Sequence, residues 1–436
     1  MKVFSKQIKH ANYSRIIEWG KLVSITGGAQ LIVQTTALLS GLLVIRLLPT
    51  KEYAWYTLAN AMLSTLTVVA DGGISAGVMT IGGKIWQDKQ KLGTVLSTGI
   101  ALRKKFAITS LLASTPILIY LLIHHGAGIA NVLLIVAALI PAFFAALSDS
   151  LLEVVPKLHQ QINLLQKNQL TVNICRLLLT LVTVLIFPFA YIAVLAGGIP
   201  RIYGNFRLRK IAAAFAEKHQ APNQRIRKKI LNIVKGILPG SIYYCLSGQI
   251  TIWLISIFGT SLSIAEVGAL GRLSMILSLF SVVFGILIIP RFARLPNDKH
   301  LVLKRFLQLQ AGLLISGFLI VGILYTFSTQ ALSILGPAYK NLKIELILSI
   351  IGSYIGVIAG LLYGLSISRG WIINPLINIP LNLIVTAAAI SLLNVSTVRG
   401  IFIFNICVAS VQVLIYLFYV LRKITKLNYA LSFNTY

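Results

Sequence analysis

Four charged residues lie where charge is costly. Asp71, Asp149, Arg176 and Arg272 each fall inside a long apolar run, and an isolated charge at mid-membrane costs roughly 2.5–3.5 kcal/mol on insertion scales. Each needs a partner or a wet cavity. A guanidinium holds phosphate through two parallel hydrogen bonds and keeps its charge when desolvated. Arg176 and Arg272 are therefore candidates for binding an anionic headgroup, helped by Arg46 at the outer end of the first apolar run and Lys235 at the inner start of the seventh. A competing reading pairs the two arginines with Asp149 and Asp71 as structural ion pairs.

Uncharged polar residues recur at helical spacing around them. The sets are Thr26, Gln30 and Gln34; Asn60, Ser64, Thr67 and Asp71; Arg176, Thr180 and Thr183; and Asn374, Asn378 and Asn382 with Thr386. Each set falls along one side of a helix. Four such stripes, drawn from both halves of the chain, predict a shared hydrated cavity. The alternative is interhelical hydrogen-bond glue, worth about 0.6 to 2 kcal/mol per bond.

Enzyme signatures fail on context. Gly73-Ile74-Ser75-Ala76-Gly77 has the spacing of a nucleophile elbow, but that motif needs a strand, a turn and a helix, whereas this is an apolar helical run. Gly82-Gly83-Lys84 ends like a phosphate loop, yet Ile85 stands where Ser or Thr would hold magnesium. His124 and His125 are adjacent rather than four apart, which is poor metal spacing. No catalytic residue, cofactor or metal is expected. Uphill movement would then draw on an ion gradient, the membrane potential or a downstream sink.

The elements that must position these residues follow from composition. Of 436 residues, 57% are hydrophobic and 11% charged, against roughly 45–50% and 25% in soluble domains. The apolar residues come in runs long enough to cross a ~30 Å hydrocarbon core as helices, not in the ~10-residue alternation of a barrel. We expect an all-α polytopic membrane protein of about twelve spans. They lie near Leu22–Leu48, Tyr56–Ile81, Phe106–Ile123, Val132–Val155, Leu170–Phe187 and Ala190–Tyr203 in the first half. In the second half they lie near Ile230–Phe258, Ile264–Ile289, Phe306–Tyr325, Ile344–Ile367, Trp371–Leu393 and Ile401–Leu421.

This divides the chain into a basic N-terminal segment (1–21), a six-helix lobe (22–203), a basic linker (204–229), a second six-helix lobe (230–421) and a tail (422–436). In the first segment Phe4, Ile8, Ile16 and Trp19 alternate with Lys6, Lys9, Arg15 and Lys21. That pattern suits a helix lying on the inner membrane surface, or a solvated basic tail. The formal net charge of +29 sits mostly between spans, which points to topology and anionic lipid and not to nucleic acid. Lys84, Lys89, Lys91, Arg103, Lys104 and Lys105 cluster on one side, as do Arg207 through Lys229. By the positive-inside rule both termini are expected in the cytoplasm. Cys175, Cys245 and Cys407 lie in apolar runs without metal spacing and read as small core residues. Gly27-Gly28, Gly72-Gly73, Gly197-Gly198, Pro141, Pro239, Pro375 and Pro380 mark kinks, hinges or close helix contacts.

Aligning Glu52 with Glu266 brings Asn60 opposite Ser274 and Lys84 near Arg291, which suggests an internal repeat of whole helix bundles. Arg46-Leu47-Leu48-Pro49, then Glu52-Tyr53-Ala54-Trp55-Tyr56, then Asp71-Gly72-Gly73-Ile74 resemble the opening repeat of polysaccharide-transport proteins, with Ala54 where glycine is usual. With Gly268-Ala269-Leu270-Gly271-Arg272 and Pro290-Arg291-Phe292-Ala293-Arg294, the whole chain resembles the multidrug/oligosaccharidyl-lipid/polysaccharide (MOP) exporter superfamily, especially its O-antigen flippases.

That resemblance implies movement of an undecaprenyl-pyrophosphate-linked oligosaccharide from the inner to the outer leaflet of a bacterial inner membrane, in O-antigen, lipopolysaccharide, capsule or exopolysaccharide biosynthesis. Two lobes would enclose a cationic cavity and leave the polyprenyl tail in the membrane lipids. Arg176 and Arg272 would then meet the pyrophosphate, and Gln30, Gln34, Asn60, Asn374, Asn378 and Asn382 the sugar hydroxyls. Asp71 and Asp149 would couple an ion or set the arginines' geometry. Polysaccharide polymerase and chain-length machinery are the implied partners. Two rivals are a cation-coupled multidrug exporter, which would need an acid-lined cavity, and an intramembrane glycan polymerase or ligase, which would need a sizeable outer loop.

Overall fold

The computed structural model describes residues 31–217, 220–277, 298–369 and 373–427, with single positions at 28, at 371 and between 280 and 296. The N-terminal segment 1–21, Thr26, Gly27, Gln30, Pro290, Arg291, Arg294 and the end of the tail lie outside them. Among the described residues there is helix and no strand. In chain order the helices are α1 (Leu31–Leu47), α2 (Thr50–Asp71), α3 (Ile74–Gly82), α4 (Lys89–His124), α5 (Ile129–Leu152), α6 (Val154–Leu158), α7 (Ile162–Ile186) and α8 (Ala190–Phe215). The second half holds α9 (Gln224–Phe258), α10 (Ser261–Ser274), α11 (Lys299–Thr326), α12 (Ser328–Leu335), α13 (Lys343–Ser368), α14 (Pro375–Leu392) and α15 (Val398–Thr425). Local chemistry starts many of them. Asp88, Asn223, Thr260, Asp298, Asn374 and Thr397 each accept a backbone N–H of the first turn of the helix that follows.

Among the described residues eight helices are long and apolar enough to cross a membrane, nine if α2 and α3 count as one bent span. The three other expected spans correspond to α1, α8 and α10. The described parts of α1 and α10 are short, while α8 is 26 residues long and carries Arg201, Asn205, Arg207 and Arg209. A helix with that polar content must face protein or water.

Two expected boundaries differ. The span expected near Phe106–Ile123 starts earlier, because the chain from Lys89 through Lys105 already forms the first half of α4, one continuous 36-residue helix. The expected linker 204–229 is largely helix as well, since α8 runs to Phe215 and α9 starts at Gln224. The two meet α4 at its start, where Glu217 N–H donates to the Lys89 carbonyl at 3.0 Å.

Small residues set the close approaches. In the first half α5 packs on α8, where a Cβ on Gly198 would lie 2.8 Å from that of Ala142. In the second half α13 packs on α15 through Gly352 and Asn405. Between the halves α2 is the shared rod, packed by both α9 and α10. A Cβ on Gly268 of α10 would sit 2.7 Å from the Thr57 hydroxyl of α2. At the end of α4, His125 Nε2 lies 2.7 Å from the Ser256 carbonyl of α9, and Trp55 Nε1–H donates to the His125 carbonyl at 3.2 Å. At the other end of α2 the span bends by 43° into α3. Gly72 and Gly73 make that bend with φ of +50° and +91°, a region other residues enter only at a cost. Leu238 and Ile237 of α9 press against both glycines.

Candidate functional site

One face of α2 presents Tyr53, Tyr56, Asn60, Ser64 and Thr67 at helical spacing. The last four line a cavity of about 430 Å³, closed by α5, α7, α8 and α10. Three arginines reach it: Arg176 from α7, Arg201 from α8 and Arg272 from α10. Glycines make room for two of them. Arg176 lies over Gly197, and Arg272 lies over Gly41 of α1, where a Cβ would come within 3.2 Å of its Cδ.

The two buried tyrosines, with ring centroids 6.0 Å apart, stand beside the guanidinium groups: Tyr53 near Arg272, and Tyr56 near both Arg272 and Arg176. Arg272 Nη1 also meets the Met275 sulfur at 3.7 Å. Among the described residues none of the three arginines has a carboxylate within ion-pair distance, 4.0 Å. Asp149 on α5 faces Arg201 at longer range. Three delocalised, permanently charged donor groups beside Asn60, Ser64 and Thr67 make a site for an anion with several oxygens and a hydroxylated neighbour.

Asp71 belongs to a different site. It pairs with Arg103 of α4, not with Arg176 or Arg272. Arg103 is 4% exposed, so it is a bundle residue and not part of the basic surface cluster where sequence spacing puts it. Its guanidinium also donates to the Leu147 carbonyl and to the hydroxyls of Ser75 and Ser150. Asp71 in turn accepts from Ser75, both N–H and hydroxyl, across the α2–α3 bend.

The remaining expected residues are scattered. Arg46 donates from Nε to the Ile334 carbonyl at 2.8 Å and from Nη2 to the Ser333 carbonyl, satisfying the end of α12 where orphan carbonyls and the helix dipole favour a cation. Lys235 is exposed on α9 and Gln34 half-buried on α1, and neither lines the arginine cavity. Asn374 caps α14, accepting from Leu376 N–H at 3.0 Å. Asn378 and Asn382 are buried between α14 and α15: Asn382 donates to Asn378 and Asn378 to the Tyr416 hydroxyl. That stripe is hydrogen-bonded within α14 and to α15, away from the arginine cavity.

Spacing alone missed Arg201 and the tyrosine pair. A signal existed for each. Arg201 lies four residues after Gly197, on the glycine face of α8, and Tyr53 and Tyr56 are three apart on the face that Asn60 continues. Outside the spans, burial against α9 holds the His125 imidazole below its usual pKa, with His124 beside it adding to the effect.

This architecture has the fold of solved transporters of the multidrug/oligosaccharidyl-lipid/polysaccharide (MOP) superfamily. Among solved structures the chain is similar to the lipid II flippase MurJ in an inward closed conformation, with TM-score 0.73 and 12% identity over 91% of this chain and 87% of that one. It is also similar to a multidrug resistance MATE family transporter of the MOP superfamily, facing inward, with TM-score 0.71 and 14% identity over 92% and 96%. Against the outward-facing conformation of a MATE family transporter the TM-score is 0.61, again at 14% identity, over 93% and 95%. No protein-family profile and no curated protein matches the sequence. The shared feature is the fold of multi-pass membrane transporters.

Proposed function

We propose that this protein is a transporter that flips an undecaprenyl-pyrophosphate-linked oligosaccharide across the bacterial inner membrane by alternating access, for O-antigen, capsule or exopolysaccharide biosynthesis. The observation that carries the reading is the convergence of Arg176, Arg201 and Arg272 on one cavity with no carboxylate within ion-pair distance among the described residues. Buried guanidinium groups without a close ion pair favour binding an anion. A pyrophosphate supplies two charges and several acceptor oxygens.

In this reading Asn60, Ser64 and Thr67 meet the first sugar, and the polyprenyl tail stays in lipid. Gln34 joins them when the lobes, 22–203 and 230–421, move apart. Both termini and the loop between α8 and α9 face the cytoplasm, and the polymerase and chain-length machinery take the product outside. The similarity to the flippase MurJ supports a lipid-linked substrate. The similarity to MATE transporters keeps a drug exporter as the second reading, but a cavity with three arginines repels the cations such an exporter would carry.

The test is lipid analysis of a strain lacking the protein. A flippase leaves complete single-repeat polyprenyl-pyrophosphate oligosaccharide accumulated and shielded from probes outside the inner membrane. The same lipid at wild-type level on the outer leaflet sinks the reading, and ethidium efflux by the protein would replace it with drug export. Accumulation outside without polymerisation or ligation would instead make the protein an enzyme of glycan assembly.

A further inference from the structure

A second cavity, about 910 Å³ and so about twice the volume of the arginine site, opens on the other side of α5. Ala142 and Ala146 face the arginines, whereas Phe144, Leu147 and Leu151 form the floor of this groove. Its walls are α4 and α8. Ile100 and Ile108 on α4 and Phe144 on the floor are 37%, 54% and 38% exposed, which marks the groove as open to lipid. Ala212 and Ala213 of α8 and Ala216 just after it keep it wide, and the hydrogen bond from Glu217 N–H to the Lys89 carbonyl closes its cytoplasmic end. The volume is within the ~300–1,000 Å³ range of small-molecule sites.

Two exposed cations stand on opposite walls; Arg103, which also lines the groove, is paired with Asp71, and the one carboxylate there, Glu217, accepts from Gln220 at the groove's end. Lys104 precedes the apolar run that begins at Phe106, and Arg209 follows the run that ends near Tyr203, so both lie at the level of the inner headgroups. Both are exposed, and neither makes an ion pair among the described residues. Facing cations above an apolar floor complement an amphiphile with an anionic head. The chain's own N-terminal segment, with Lys2, Lys6, Lys9, Arg15 and Lys21, has the wrong sign for that rim.

We propose that this groove binds one anionic phospholipid of the cytoplasmic leaflet, its phosphate between Lys104 and Arg209 and an acyl chain along α5. The site is separate from the transport cavity and does not depend on which substrate that cavity carries. Its occupant braces α4 against α8.

The experiment is native mass spectrometry of the purified full-length protein incubated with equal amounts of phosphatidylglycerol and phosphatidylcholine. One phosphatidylglycerol should be retained in roughly twenty- to thirtyfold preference, each basic side chain at an anionic headgroup contributing about fivefold. Lys104→Gln together with Arg209→Gln should bring the two lipids to near parity. Ala213→Phe, with both charges intact, should lose the bound lipid by filling the groove. An unchanged preference in the double variant overturns the proposal, because the selectivity would then come from the basic loops. Full retention in Ala213→Phe overturns the seat of the acyl chain. A cross-link from the N-terminal segment to a cysteine at position 213 overturns it in favour of the chain's own segment. If Ala213→Phe does not fold, the double surface variant still decides.

Discussion

Arg103 and the three cavity arginines are the same side chain in opposite circumstances. Arg103 is paired, with Asp71, two serine hydroxyls and a carbonyl around its two Nη groups and only Nε left without a partner. Arg176 and Arg272 have tyrosines beside them, and no carboxylate among the described residues is within ion-pair distance of them or of Arg201. The sequence environments mislead, since Arg103 stands in the basic run Arg103-Lys104-Lys105 while Arg176 and Arg272 stand alone in apolar runs. The difference is which helix faces them: α4 meets the α2–α3 bend and its acid, while α7, α8 and α10 meet the hydroxyl face of α2. A buried cation is structural when the fold brings it a counter-charge, and available for a ligand when the fold withholds one.

Substitutions should separate the two kinds. Arg103→Ala leaves Asp71 without its partner, and breaking a buried pair from one side costs about 3–5 kcal/mol. Loss of folded protein from the membrane is expected, read by fluorescence size-exclusion. If the variant accumulates normally and only transport fails, the contrast collapses. Arg272→Gln removes a charge with no carboxylate against it, so the thermal midpoint should hold while transport falls ten- to a hundredfold, the equivalent of about 1.5–3 kcal/mol for a charge-assisted hydrogen bond. A lowered midpoint would make Arg272 structural as well. Tyr56→Phe takes away only the hydroxyl that orients Arg176, and a loss of about 0.5–1.5 kcal/mol predicts a two- to tenfold drop in transport with stability unchanged.

The smallest effect is expected at the contact between halves that involves neither set. His125 is buried neutral against Ser256, with its pKa below the ordinary value of about 6.5. The unfolded chain therefore binds a proton that the folded one resists, so this part of the stability is present above pH ~6.5 and declines as pH falls through that value. His125→Gln should flatten the midpoint's dependence on pH between about 5 and 7. A wild-type midpoint independent of pH across that window would remove His125 from the account.

The spans were legible because hydropathy is a one-dimensional signal. Even so, α8 passed as an ordinary span, and its arginine at 201 was overlooked because an apolar run hides the face on which a polar residue stands. Asp71, Arg176 and Arg272 could be singled out from cost alone, but not paired, since pairing depends on which helices become neighbours. The asparagines at 378 and 382 have the same helical period as Asn60 and Ser64, yet one stripe meets Tyr416 and the other a cavity. Arg46 looked like a ligand residue for want of any sign that α12 would end beside it. The Glu52-Tyr53-Ala54-Trp55-Tyr56 motif was the most informative stretch, and its individual tasks became visible only in three dimensions: Glu52 accepts the Ala190 N–H at the start of α8, Trp55 binds the loop after α4, and the tyrosines stand beside arginines.

The bend at Gly72 and Gly73 bears on how force would move through such a molecule. Two successive left-handed residues cannot straighten into a continuous helix without a large change in both φ angles, and Asp71 clasps Ser75 across the break while Arg103 clasps Asp71. A flexible joint would lack that bracing. Braced in this way, the elbow would carry α2 and α3 together, as one crank rather than two.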